Sequence, residues 1–241
     1  MRPLRIVVVY PDLLGTYGDG GNGVVLERRA LRRGIDARLV QVTSDQALPG
    51  ADLYTLGGGE DAPQVLARDR LADDGALWRG ASQGAVVLAV CAGYQIAGRS
   101  FCTSDGAPSE GLGLLDVVTT RSSGPRAVGE ILVQDTPAHL GALTGFENHA
   151  GLSSVGQSAQ PLGKVSVGTG NGDGTEGARS GRVVGTYLHG PVLARNPALA
   201  DLLLCWATGA ESLDPLDDHL EEALREERLS ASTRRSHRRR P

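Results

Sequence analysis

Cys91 stands in Ala89-Val90-Cys91-Ala92-Gly93-Tyr94-Gln95, between the apolar run Gly84 to Val90 and a segment of helical character. A strand that runs into a tight turn of small residues, with a thiol at its apex, makes a nucleophile elbow. The turn lifts the sulfur above the sheet edge, and the next helix points its open N–H groups at it, which favours the thiolate. A nucleophilic thiol calls for a base, and neutral imidazole is the usual one. Of the five histidines, His189 is the best placed. It ends the run Val183-Val184-Gly185-Thr186-Tyr187-Leu188 and precedes Gly190-Pro191, so its ring is expected at the carboxyl edge where Cys91 emerges. His149, in Gly145-Phe146-Glu147-Asn148-His149, is a second candidate. His139 follows Pro137-Ala138 in an expected turn, His219 lies in an acidic helix, and His237 is near the end of the chain.

Acyl transfer also needs backbone donors for an oxyanion. Gly57-Gly58-Gly59 ends the third expected strand with no side chains in the way. The amide of Ala92, directly after the nucleophile, is the natural second donor, so Gly58, Gly59 and Ala92 are the expected oxyanion residues. Cys102 and Cys205 lack the strand–turn–helix setting. Cys205 falls in Leu202-Leu203-Leu204-Cys205-Trp206 and reads as core. The three cysteines form no CxxC pair, no metal site is expected, and the chain has neither a GxGxxG fingerprint nor a P-loop.

These residues need a frame that brings strand ends together. Leu4 to Tyr10 is a β-branched run, the mark of a strand buried on both faces. A helix is expected over roughly Val24 to Arg33, with Asn22 as its cap and Gly34 as its stop. Strands follow at Ala37 to Val42 and Asp52 to Leu56, a helix from about Ala62 to Trp78, then the strand into Cys91. This alternation predicts an α/β fold, a mostly parallel sheet with helices on both faces and ligands at the carboxyl ends of its strands. The second half is more β-like: Leu114 to Thr120, Ala127 to Val133, Val165 to Val167 and Arg182 to Leu188. The glycine-rich stretch Gly168 to Gly174 reads as an exposed loop. Helices at Pro197 to Thr208, with Asn196 as cap, and Leu216 to Glu227 close one domain over residues 1–228. Residues 229–241, with the basic cluster Arg234 to Arg240, read as a disordered tail.

The 241 residues suit one large α/β domain, and 40% hydrophobic residues allow a sizeable core. With aromatics at only 4% and 34 glycines, that core must be mostly Val, Leu and Ala. A net charge of −4 argues against nucleic acid as the main partner. No signal peptide is expected ahead of the first strand, and no apolar run approaches the ~18 residues of a membrane span. The cysteine usage favours a reducing cytoplasm.

Together these residues resemble the class I glutamine amidotransferases, a flavodoxin-like fold with a Gly-rich oxyanion strand, a cysteine elbow and a late histidine. The resemblance covers about residues 4 to 208. Within the class it is most specific to the CobB/CobQ-like branch and to the glutaminase subunits of lipid II isoglutaminyl synthases. The carrying segments are Tyr17-Gly18-Asp19-Gly20-Gly21-Asn22, Gly57-Gly58-Gly59-Glu60-Asp61, Cys91-Ala92-Gly93-Tyr94-Gln95, Gly145-Phe146-Glu147-Asn148-His149 and Tyr187-Leu188-His189-Gly190-Pro191. Two positions depart from the wider class. Ala89 replaces the first elbow glycine, and Pro191 stands where the Cys-His-Glu enzymes carry their glutamate. That second departure resembles a Cys-His dyad, with His189 oriented by a backbone carbonyl or by a carboxylate from elsewhere.

The resemblance implies that Cys91 and His189 hydrolyse the side-chain amide of L-glutamine. It implies that Arg126, in Pro125-Arg126-Ala127-Val128-Gly129-Glu130, binds the glutamine α-carboxylate, with Arg121 as a nearby competitor. It implies a MurT-like Mur-ligase subunit as heterodimeric partner, to which ammonia passes. That partner would hold ATP and Mg and amidate D-glutamate of the lipid II stem peptide, with no cofactor in this chain. The complex would act on a lipid-linked substrate without this chain being a membrane protein. The alternatives are a glutaminase serving a corrin-ring amidating synthetase, a non-catalytic scaffold subunit and a cysteine peptidase on the same fold.

Overall fold

A computed structural model describes residues 2–103, 105–137 and 140–238, with side chains to residue 230. From the N-terminus, β1 (Leu4–Val9) leads through a loop to α1 (Gly21–Leu31), then to β2 (Ala37–Val42) and β3 (Leu53–Leu56). Helices α2 (Asp61–Asp74) and α3 (Ala76–Ser82) return the chain to β4 (Val86–Val90), which runs straight into α4 (Ala92–Ala97). A β-rich stretch follows: β5 (Ser100–Cys102), β6 (Pro108–Glu110), β7 (Val117–Arg121), β8 (Ala127–Gln134), β9 (Leu143–His149) and β10 (Gly151–Val155). It continues with β11 (Gly163–Val167), β12 (Thr175–Glu176), β13 (Ala178–Ser180) and β14 (Val183–Thr186). The helices α5 (Val192–Arg195), α6 (Pro197–Thr208) and α7 (His219–Arg238) come last.

The main sheet has the order β13-β14-β4-β3-β1-β2, parallel except for the edge strand β13. Every residue of β3 and β4 is buried, as expected of parallel strands covered on both faces. Each Val or Leu buried there contributes about 1.5–3 kcal/mol. The edge strand β2 has a mixed pattern of buried and exposed positions instead. Helices α1, α5 and α6 pack as one group, and α2, α3 and α4 as another. From β1 the chain moves outward to β2, and from β3 it moves the opposite way to β4, so right-handed crossovers put the two helix groups on opposite faces. The register aligns Val9 with Leu56, Leu56 with Ala89, and Val90 with Thr186. The loops after β1, β3, β4 and β14 therefore leave one edge of the sheet, and those after β1 and β3 diverge at its topological switch point. Two further four-stranded sheets, β10-β7-β5-β6 and β12-β11-β8-β9, are built from the strands between Ser100 and Glu176.

Several expected elements differ in detail. The helix expected over Ala62 to Trp78 is two helices, because Gly75 adopts φ +63° and ends α2 with a left-handed turn. Asn22 is not a cap but a buried residue inside α1, donating to the Asp19 carbonyl and accepting from the Leu193 amide. Asn196 does occupy the N-cap position of α6, yet its side chain bonds Thr144 and Val192 instead of the helix amides. The loop Gly168 to Gly174 is not wholly exposed. Asn171 is buried and bonds Thr175 and Gly177, while buried Glu147 accepts the Thr169 and Gly170 amides.

The segment from 229 onward, expected as a disordered tail, is helical to Arg238 as the continuation of α7. No Gly or Pro interrupts it, and Glu221 and Glu222 in the first turn suit the helix dipole. Arg239, Arg240 and His139 lie outside the described residues. Among the described residues no helix is long and apolar enough to cross a membrane, and no three His, Cys, Asp or Glu side chains group to hold a metal.

Candidate active site

Cys91 is the first residue past β4, at φ 52° and ψ −104°. A non-glycine residue held there is strained, and the surrounding bonds hold it: the Cys91 amide donates to the Thr186 carbonyl at 2.8 Å, and the Cys91 carbonyl accepts the Gln95 amide at 3.0 Å. Small residues are required beside it. A Cβ on Gly93 would stand 2.7 Å from the Leu56 side chain and 3.1 Å from the Gly57 carbonyl, to which the Gly93 amide donates. Ala89 fits the turn without strain from a left-handed φ. The sulfur is 3.9 Å from the Asn148 carbonyl oxygen.

His189 follows β14 and is clamped to β9 by paired backbone bonds with Phe146, 2.9 and 3.1 Å long. Its ring is buried and stands edge-on to Tyr17, with centroids 5.0 Å apart. Nδ1 lies 2.8 Å from Oδ2 of Asp19, 170 residues away in the chain and wholly buried. An ionised carboxylate only accepts, so Nδ1 carries a proton and Nε2 is left to the chemistry. Nε2 is buried with no hydrogen-bond partner, and Cys91 is its neighbour. Burial disfavours the imidazolium, but the bond that Nδ1 donates to Asp19 and the adjacent Cys91 outweigh it, raising His189 to about 10.

Asp19 sits in the loop from β1 to α1, which Tyr17 (φ 59°) and Gly18 (φ 74°) turn through the left-handed region. The Thr16 amide, donating to the Gly58 carbonyl at 3.1 Å, pins this loop to the end of β3. The Gly58 amide in turn donates to Asp19 Oδ2 at 2.9 Å. Of the three amides expected to receive an oxyanion, that of Gly58 is therefore engaged. Those of Gly59 and Ala92 have no hydrogen-bond acceptor among the described residues.

The expected substrate residue Arg126 lines the same narrow cleft as Cys91, together with Arg121, Glu60 and Gln95. Its guanidinium bonds the Asn148 side chain and, at 3.0 Å, the Asn148 carbonyl. The Asn148 amide nitrogen also donates to the Tyr17 hydroxyl. Arg126 is thus tethered through Asn148 to both the sulfur and the ring that packs on His189. The cleft is lined both by the cations Arg121 and Arg126 and by the carboxylates of Glu60 and Asp61, a charge mixture that suits a zwitterion. Larger hollows of about 500 and 750 Å³ lie around Arg2 and Asp52, near the amino ends of the strands and away from Cys91.

The remaining candidates fall into place by their contacts. His149 lines the cleft but is buried, stacked on Tyr187 with centroids 3.7 Å apart. Its Nδ1 donates to the Gly151 carbonyl at 2.9 Å and its Nε2 faces Glu147 at 3.3 Å, so neither nitrogen is open. Cys102 also lines the cleft, which its local sequence does not foreshadow. Cys205 lies in α6, outside the cleft. His219 is exposed and bonded to Asp217. Sequence reasoning named the segment holding Asp19 without giving that residue a role. An aspartate between two glycines in the loop that follows a central strand is the only local signal it leaves.

Residues 5–197 match the CobB/CobQ-like glutamine amidotransferase domain. The chain is 35% identical over 209 residues to the lipid II isoglutaminyl synthase (glutamine-hydrolyzing) subunit GatD of Staphylococcus aureus strain N315, covering 85% of this chain and 84% of that one. It is 33% identical over 222 residues to the cobyric acid synthase of Pelotomaculum thermopropionicum, covering 84% of this chain but 40% of that one. A crystal structure of a glutamine amidotransferase shares the fold, with a TM-score of 0.58 and 22% identity over 84% of this chain and 98% of the other. With a strand–cysteine–helix elbow and a buried histidine at one sheet edge, the chain belongs to the CobB/CobQ-like family and is a glutamine amidotransferase.

Proposed function

We propose that this chain is the glutaminase subunit of a lipid II isoglutaminyl synthase. In this reading residues 1–228 carry the activity and the Cys91 thiolate attacks the side-chain amide carbon of L-glutamine. His189 Nε2 takes the thiol proton and returns it to the leaving nitrogen. The Ala92 and Gly59 amides receive the oxyanion. Ammonia leaves, and water then cleaves the γ-glutamyl thioester to release L-glutamate, with His189 again moving the proton. Arg126 holds the substrate's α-carboxylate. The ammonia passes to a MurT-like ligase subunit, which binds ATP and Mg and amidates D-glutamate of the lipid II stem peptide in the cytoplasm.

The observation that carries the chemistry is the open, buried Nε2 of His189 beside a cysteine held at φ 52°. The likeness to the S. aureus GatD subunit, spanning more than four-fifths of both chains, carries the pathway. Co-purification tests the pathway. A Mur-ligase-like partner whose complex amidates lipid II from glutamine supports the reading, whereas a corrin-amidating synthetase as partner overturns it.

A further inference from the structure

We infer that Asp19 is the positioning residue of this active site, taking the place that Pro191 leaves without a carboxylate and holding His189 through Nδ1. This rests on the assignment of Cys91 and His189 as nucleophile and base. Three observations carry it. The Asp19 side chain is wholly buried and its Oδ2 is 2.8 Å from Nδ1. The same oxygen accepts the Gly58 amide at 2.9 Å, so the carboxylate is fixed by the strand end that borders the site as well as by the imidazole. Its loop is held by the Thr16–Gly58 bond and by the Asn22 side chain, which donates to the Asp19 carbonyl at 3.0 Å. A buried carboxylate that receives Nδ1–H sets the tautomer that leaves Nε2 open toward the thiol, and it stabilises the imidazolium formed when the thiol gives up its proton.

The other titratable groups near this ring are Cys91 and the Tyr17 phenol. Glu147, the nearest acid on β9, is turned to His149 and to the Gly168–Gly174 loop. Among the described residues Asp19 is thus the carboxylate on this imidazole. One of its own oxygens, Oδ1, is buried without a partner, so an amide can replace the carboxyl with its oxygen still at the Oδ2 position.

The test compares the full-length wild type with Asp19→Asn and Asp19→Ala in glutamate release from glutamine, alongside an NMR titration of His189. Asp19→Asn is expected to lower kcat by ~100-fold or more while KM stays within about threefold. His189 is expected to lose its proton at least one pH unit lower than in the wild type. A purely structural role would lower stability without moving that titration. The inference is overturned if Asp19→Asn keeps kcat within about threefold of the wild type, or if kcat falls while the His189 titration is unchanged. Should both variants fail to fold, the wild type alone decides. A strongly downfield Nδ1 proton, absent in His189→Ala, supports the inference, and its absence from the wild type refutes it. Cys91→Ala separates the two claims. If that variant turns over at the wild-type rate, the nucleophile assignment fails; if only the Asp19 variants are silent, that assignment stands and this inference falls.

Discussion

Gly58→Ala adds a single methyl group where the site has no room for it. A Cβ built on Gly58 stands 2.7 Å from Cε1 of His189, 3.3 Å from Oδ2 of Asp19 and 3.6 Å from Cβ of Cys91. The first distance falls 0.7 Å short of the 3.4 Å at which ordinary contact begins. The ring cannot simply retreat, because Nδ1 is held by Asp19, Tyr17 packs against it and Phe146 clamps the backbone. Either the imidazole or the end of β3 must move by most of that distance. Gly58 does not use a left-handed φ, so alanine brings no backbone penalty, and its amide stays in place. The expected effect is therefore on geometry alone. A misplacement of 1 Å costs roughly 100-fold in rate, so about 0.7 Å predicts a fall in kcat of ~30-fold, or about 2 kcal/mol in the barrier. Steady-state glutamate release gives kcat and KM, and thermal unfolding shows whether the fold persists. A folded Gly58→Ala protein with wild-type kcat would refute the reasoning that the close packing of His189, Cys91 and Gly58 governs the rate.

Two more predictions probe the surroundings. Burial raises the Glu176 carboxyl from 4.5 to about 7, against the bonds it accepts from the Tyr187 amide and the Thr186 hydroxyl. Between those values the folded protein holds a proton that the unfolded chain has released. Stability therefore falls as pH rises, by up to ~1.4 kcal/mol per unit and ~3 kcal/mol in all. Denaturant titrations at pH 5 and pH 8 should show this slope in the wild type and its loss in Glu176→Gln; an unchanged slope contradicts it. Arg126→Ala should raise KM for glutamine by ~10-fold or more with kcat nearly unchanged, because a carboxylate clamp acts equally on ground and transition states. A fall in kcat at constant KM would place Arg126 in the chemistry instead.

The parts of the site that could be read in advance are those encoded locally. Cys91 is legible because β4 is a continuous buried run that ends abruptly in Ala-Gly, and His189 because it closes another such run. The break at Gly75 and the early start of α1 at Gly21 were missed because a glycine reads alike as a helix stop, a helix start or a turn. Asp19 was missed for a different reason. Its function depends on a partner 170 residues away, and an aspartate between glycines looks like any turn residue. The same limit left His149 a rival to His189, since only the fold reveals that both of its nitrogens are occupied. It also concealed that the Gly58 amide, open by sequence, is taken by Asp19.

In the proposed reaction Cys91 forms a covalent γ-glutamyl intermediate. Its most direct measurement incubates the protein with a glutamine analogue bearing an electrophile in place of the side-chain amide, followed by peptide mass spectrometry. One adduct is expected, on Cys91, that glutamine suppresses and that Cys91→Ala abolishes together with glutamate release. An adduct on Cys102 or Cys205 instead, or turnover of glutamine by Cys91→Ala at the wild-type rate, would contradict it.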